Sequence, residues 1–187
     1  KLDVRQDSEV RRSVVGGCLG EDEWDEMSAD ERTLRISDAI VSRESVPITL
    51  STQARKTIAV FQAIAFCRRK YGPNAIGPFI VSMTQGADDI LSVILLAQWS
   101  ELHNKRGEVP LDIAPLLETV DDLHNGPAIL DSLLSSDLYR KHLERRKNRQ
   151  MIMIGYSDSN KDGGLASARW ALQNAQEVIV KAANAQG

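Results

Sequence analysis

Two cysteines in 187 residues, Cys18 and Cys67, are too few for a disulfide framework, and neither stands in a C-x-x-C pair. Two reduced thiols are the plain reading, which points to a cytoplasmic protein. The three histidines, His103, His124 and His142, are scattered and form no H-E-x-x-H, which argues against a histidine-bound metal. No run of apolar residues approaches the ~18 needed to cross a membrane. The charge is nearly balanced, 23 basic against 26 acidic residues for a net of −3, so no one-signed field attracts nucleic acid or an acidic membrane. There is no N-x-S/T sequon, no short-period repeat and no low-complexity stretch. With 42% hydrophobic and 26% charged residues, what remains is an ordinary soluble globular composition.

Two local charge runs stand out. Glu21 to Glu31 carries seven acids and no base, and Arg140 to Arg149 carries six bases and one acid. Both read as solvated faces or loops. The basic run has no interleaved aromatics, so it does not read as an RNA surface. The chain starts at Lys1 rather than Met and closes on a helical pattern, which suggests a piece of a longer protein. We read residues 1–187 as one segment with no separate second domain.

Four short apolar runs punctuate the chain, each leading into polar residues and then a helical pattern. They are Leu2-Asp3-Val4, Phe79 to Met83, Leu111 to Leu117 and Met151 to Tyr156. Runs without alternation read as strands buried on both faces. Ser28-Ala29-Asp30-Glu31 has capping-box spacing and predicts a helix from Ser28 to about Val41. Further helices are predicted over Gln53–Lys70, Asp88–His103, Pro127–Arg146 and Leu165–Ala185, with Ser42–Thr52 an extended loop. The alternation gives the fold class: helix-rich α/β with a parallel sheet and helical crossovers.

In such folds, sites form beyond the carboxyl ends of the strands. The four runs end in Arg5 and Gln6, in Thr84 and Gln85, in Glu118, and in Asp158 with Lys161. Carboxylates and cations on one rim suit a divalent metal with an anionic substrate, and oxygen-only ligands favour Mg²⁺ or Mn²⁺ over Zn²⁺. The plain alternative is that Glu118 and Asp158 only cap the helices that follow. Asp158 to Gly163 matches the first half of an EF-hand, but position twelve is Arg169 where a glutamate is required. A strand-to-helix turn fits better, with Gly163-Gly164 allowing a tight entry into the last helix.

These same residues resemble one family. Met151-Ile152-Met153-Ile154-Gly155-Tyr156-Ser157-Asp158-Ser159-Asn160-Lys161-Asp162 resembles the M-x-G-Y-S-D-S-x-K-D signature of phosphoenolpyruvate carboxylase. Leu2 to Ser8 is similar to its D-[IV]-R-Q-[ED]-S segment, and Ala114 to Leu123 to its A-P-L-F-E-T-x-D-D-L segment. Phe79 to Met83 with Asp89 to Val93 resembles its Y-V-I-S-M…S-D-V-L-A-V segment. The four motifs stand in the family's order along the chain.

The resemblance implies about four βα units of a (β/α)8 barrel. It implies carboxylation of phosphoenolpyruvate by bicarbonate to oxaloacetate and phosphate, with Mg²⁺ or Mn²⁺, through carboxyphosphate and the enolate of pyruvate. It implies that Glu118 and Asp158 are metal ligands, that Arg5 approaches the transferring phosphoryl group, and that Lys161 adds positive charge beside them. Met153 falls at an apolar wall of the substrate pocket. The full-length enzyme would be a homotetramer. The family's catalytic histidine and its H-G-R-G-G loop lie outside this chain, so the isolated segment is expected to be inactive. Thr84-Gln85-Gly86-Ala87 departs from the family pattern and receives no role, and Leu143–Gln150 reads as a surface-loop insertion. Two other readings remain open at this point: another Mg²⁺-dependent (β/α)-barrel lyase acting through an enolate, and a non-enzymatic module using the charge runs as interaction faces.

Overall fold

The computed structural model describes residues 2–185; the side chains of residues 2–7, 156–168, 171 and 185 lie outside the described residues. The elements run β1 (Leu2–Asp7), α1 (Ser8–Leu19), α2 (Ala29–Ser42), α3 (Thr52–Tyr71), β2 (Ile76–Ser82), α4 (Ala87–Trp99), β3 (Ile113–Leu117), α5 (Val120–Ser135), α6 (Asp137–Glu144), β4 (Met153–Ile154) and α7 (Tyr156–Ala185). The strands form one sheet in the order β1-β2-β3-β4, and every neighbouring pair is parallel. Parallel neighbours need long crossovers, which the helices supply. Helix-rich α/β with a small parallel sheet is therefore borne out.

The main core lies between the sheet and the helices. Phe79 of β2 stacks on Phe61 of α3 with ring centroids 5.0 Å apart. Val81, Ile113 and Leu117 join the same cluster with α4, whose residues Ala87 to Ala97 are all buried. Ala114 and Leu116 are buried but stand outside that cluster. Successive strand residues point to opposite faces. Leu116 and Ala114 therefore mark the face turned away from the helices.

Local chemistry explains most element ends. Ser28 caps α2 through the expected box: Glu31 N–H donates to Ser28 Oγ, and Ser28 N–H donates to Glu31 Oε2 at 2.7 Å. The helix predicted from Pro127 begins seven residues earlier, because Thr119 and Asp122 form a second capping box. Pro127 sits inside α5, and the predicted single helix divides at Ser136, whose extended backbone ends α5 and whose hydroxyl caps α6. The helix predicted to His103 stops at Trp99, with Glu101 at φ 56° in the turn beyond it. Helix α1 has no counterpart in the sequence reading. Its Ser-Glu-Val-Arg-Arg start and two glycines hide a helix held by burial of Val14, Val15, Cys18 and Leu19.

The fourth strand is shorter than the run Met151 to Tyr156. Helix α7 starts at Tyr156 rather than Leu165. Gly163-Gly164 therefore lies within a helix and does not form the entry turn, which falls at Gly155 instead. The same helix rules out a calcium loop over Asp158–Gly163.

Candidate active site at the carboxyl edge of the sheet

Glu118 is the residue directly after β3, and it is only 6% exposed. It does not cap the next helix. Thr119 does that, its hydroxyl accepting from Asp122 N–H at 3.0 Å. Asp122 Oδ2 in turn accepts from both Glu118 N–H and Thr119 N–H, at 3.0 Å each. The turn thus holds the Glu118 backbone from below while leaving its carboxylate outside the capping bonds. Burying a carboxylate is costly unless other groups compensate it. A buried acid with no capping duty at this edge is a functional candidate.

The adjacent strand contributes backbone. Gly155 N–H donates to Leu117 carbonyl at 2.7 Å. A Cβ on Gly155 would meet Glu118 Cα at 3.1 Å and Cγ at 3.3 Å. Glycine lets β4 close against Glu118. Helix α7, which carries Asp158 and Lys161, begins at Tyr156, directly after Gly155.

Of the five residues singled out in the sequence, two have described side chains. Met153 pairs with Leu116 across β3 and β4, and Leu117 pairs with Ile154. Since Leu117 and Ile154 pack on the helix side, Met153 shares the opposite face with Leu116, and it is 43% exposed. Arg5 belongs to β1 and pairs with Ile80, so β1 continues to Asp7 and Arg5 lies within the strand, not past its end. The side chains of Arg5, Asp158 and Lys161 lie outside the described residues. Asp158 and Lys161 sit inside α7, and the cap position that the plain alternative gave to Asp158 is not theirs.

The segment Thr84–Ala87, which received no role, is the β2–α4 turn of the same edge. Met83 precedes it at φ 55°, and its carbonyl accepts from Ser8 Oγ at 2.6 Å. The Thr84 hydroxyl donates to Val81 carbonyl at 2.8 Å. Asp89 Oδ2 accepts from Gln85 N–H at 2.8 Å and Oδ1 from Arg12 at 3.1 Å. Arg32 Nε reaches Asp88 Oδ2 at 2.7 Å. Burial first, then the neighbouring Asp88, push the Asp89 carboxyl above the usual aspartate range, against the opposing pull of Gln85 N–H and Arg12. The sequence signal was present in Arg11-Arg12 and Asp88-Asp89. Nothing local tied residue 12 to residue 89.

Consecutive parallel strands, helical crossovers and a buried acid at the carboxyl edge define a β/α chain of the kind whose sites form at that edge. The sequence model of the phosphoenolpyruvate carboxylase family matches residues 1–187, and the chain belongs to that family. It is 42% identical over 183 residues to the phosphoenolpyruvate carboxylase of Xanthomonas oryzae pv. oryzae, covering 98% of this chain and 20% of that protein. It is 37% identical over 196 residues to the Mycobacterium leprae enzyme of the same name, covering 100% of this chain and 21% of that protein. The chain therefore spans about a fifth of the length of the curated relatives it matches.

Proposed function

We propose that residues 1–187 are the single segment of a phosphoenolpyruvate carboxylase that carries its metal carboxylates, within a (β/α)8 barrel. The full-length protein would be a cytoplasmic homotetrameric lyase that fixes bicarbonate onto phosphoenolpyruvate, giving oxaloacetate and phosphate. The observation that carries this reading is Glu118, a nearly fully buried acid at the carboxyl edge that the helix cap does not use. No helix among the described residues is long and apolar enough to cross a membrane.

An oxygen-only donor set favours Mg²⁺ or Mn²⁺. Glu118 supplies a hard oxygen donor in a buried position. Among the described residues no group of three or more His, Cys, Asp or Glu converges, and the second proposed ligand, Asp158, lies outside them. An acid-only pair suits these cations, and Glu118 and Asp158 would be the holders. When bound, the ion supplies Lewis-acid stabilisation of negative charge on a substrate oxygen.

The chain's own residues do the rest. Gly155 and the Thr119–Asp122 cap fix where Glu118 stands. Arg5 would pair with the phosphoryl oxygens through its planar fork, and Lys161 would add a second cation. Met153, paired with Leu116 on the face of the sheet away from the helices, would form an apolar wall that excludes water from the reacting carbon. Without the rest of the polypeptide, the segment would be inactive.

The test is substitution in the full-length protein. Glu118→Ala and Asp158→Ala should each abolish Mn²⁺ binding, followed by electron paramagnetic resonance, and turnover. Normal turnover in either variant sinks the proposal.

A further inference from the structure

The other end of the sheet holds a cavity of about 500 Å³. It is framed by α6, by Asp112 and Ile113 entering β3, and by Gln150 and Met151 leading to β4. Helix α6 ends in a tight turn: Asn148 N–H donates to Leu143 carbonyl at 3.0 Å, and Lys147 N–H to Glu144 carbonyl at 3.2 Å. Lys147 and Asn148 have φ of 59° and 53°, a region in which glycine is usually found. Four cations, Arg145, Arg146, Lys147 and Arg149, line the cavity against one carboxylate, Asp112.

A helix C-terminus attracts cations without any ligand. That accounts for Arg145, which pairs with Glu108 at 2.9 Å, and for Arg146, which pairs with Asp112 at 2.8 Å. It does not account for Arg149, which lies past the helix. The side chains of Lys147 and Arg149 make no ion pair or hydrogen bond among the described residues. Arg68 of α3 adds a further charge. Burial, and then repulsion from Arg146, lower its pKa, and Asp112 is the counter-charge that both arginines share. His142 also lines the cavity, is kept neutral by burial and by Arg146, and its buried Nε2 has no hydrogen-bond partner. Positive charge at the cavity thus exceeds the described carboxylates paired with it, Asp112 and Glu108.

We propose that this cavity is an anion site that takes the phosphate group of a small phosphorylated molecule, held by Arg146, Lys147 and Arg149. Guanidinium forks match the tetrahedral oxygens, and the volume accommodates a metabolite as well as its phosphate. The site lies at the opposite edge from Glu118, so it does not depend on the catalytic reading.

Hydrogen exchange on the full-length protein tests it, with inorganic phosphate as the probe and sodium chloride matched for ionic strength. Phosphate, and not chloride, should slow exchange in residues 137–151. The double variant Lys147→Gln, Arg149→Gln should need about tenfold more phosphate for the same protection. Its exchange in α3 and α4 without phosphate should match the parent, since both side chains are exposed. Equal protection by chloride, or full protection in the double variant, overturns the proposal. Succinate offers an arm that needs no variant: protection by succinate but not phosphate overturns the phosphate assignment.

Discussion

The turns after β2 and β3 share one design and differ in what it carries. Gln85-Gly86-Ala87-Asp88-Asp89 follows the first strand, and Glu118-Thr119-Val120-Asp121-Asp122 the second. In each, the second aspartate accepts a hydrogen bond from the backbone N–H four residues earlier, at 2.8 Å for Gln85 and 3.0 Å for Glu118. The rim residue is an exposed amide in one and a buried acid in the other. The supports are reversed. Asp89 is 1% exposed and bound to Arg12, whereas Asp122 serves a self-contained capping box. The β2 turn relies on long-range ion pairs and the β3 turn on local hydrogen bonds. The locally held turn is the one that presents a buried carboxylate, Glu118, at the strand end.

The largest expected effect separates the two rim residues. In the full-length protein, Glu118→Gln should lower turnover about 100-fold or more, because a neutral amide is a poor ligand for a hard cation whose effect is worth several kcal/mol. Gln85→Ala should stay within about threefold, since its side chain makes only a 3.4 Å contact with Arg12. Steady-state kinetics decides it. Comparable losses in both would end the functional distinction between the turns.

Next come the two supporting aspartates. Asp89→Ala removes the 3.1 Å ion pair with Arg12, leaving that guanidinium only a 3.7 Å approach to Asp88, and leaves Gln85 N–H without its acceptor, and should cost about 3 kcal/mol. Asp122→Ala, in a more accessible turn, should cost about 1–2 kcal/mol. Thermal unfolding of the full-length protein gives both. A larger loss at Asp122 would reverse the assignment of long-range and local support.

Legibility followed the same division. The β3 turn was readable because its parts lie within five residues: an acid, a capping threonine and an aspartate. Even so, Pro127 suggests a helix start seven residues beyond the true box; a proline inside a helix is tolerated when packing on Leu123, Ile129 and Leu130 outweighs one lost bond. The β2 turn was unreadable because Arg12 and Asp89 are separated by most of three helices. The fold class was legible from buried runs alternating with helical patterns. Helix α1 was not, because its burial is tertiary. Gly155 stands inside the fourth motif, but its close approach to Glu118 depends on the pairing of β3 with β4.

A smaller effect concerns the caps. Thr119→Ala should cost about 1 kcal/mol, the usual worth of a capping hydroxyl. At the equivalent site of the β2 turn, a serine should not help. A Cβ on Gly86 would lie 2.5 Å from Asp88 Oδ1 and 3.2 Å from Ala29 Cβ. Gly86→Ser should therefore destabilise, although general preference favours serine there. Stabilisation by that substitution would show that the ion-paired turn yields as easily as the capped one.

The smallest effect is a slope. The folded-state pKa of Asp89 is raised above its ordinary 3.8, so the folded protein holds this proton where the unfolded chain has already lost it. Stability from this group therefore falls as pH rises through the interval from 3.8 to the raised value, and the penalty is absent below 3.8. One proton sets the ceiling at about 1.4 kcal/mol per pH unit. Asp89→Asn keeps an oxygen to accept from Gln85 N–H but cannot ionise. Its melting temperature should lose that acid-range slope. A slope that survives Asp89→Asn would mean that Arg12 and Gln85 already neutralise the burial cost, leaving the β2 turn as unstrained as its partner.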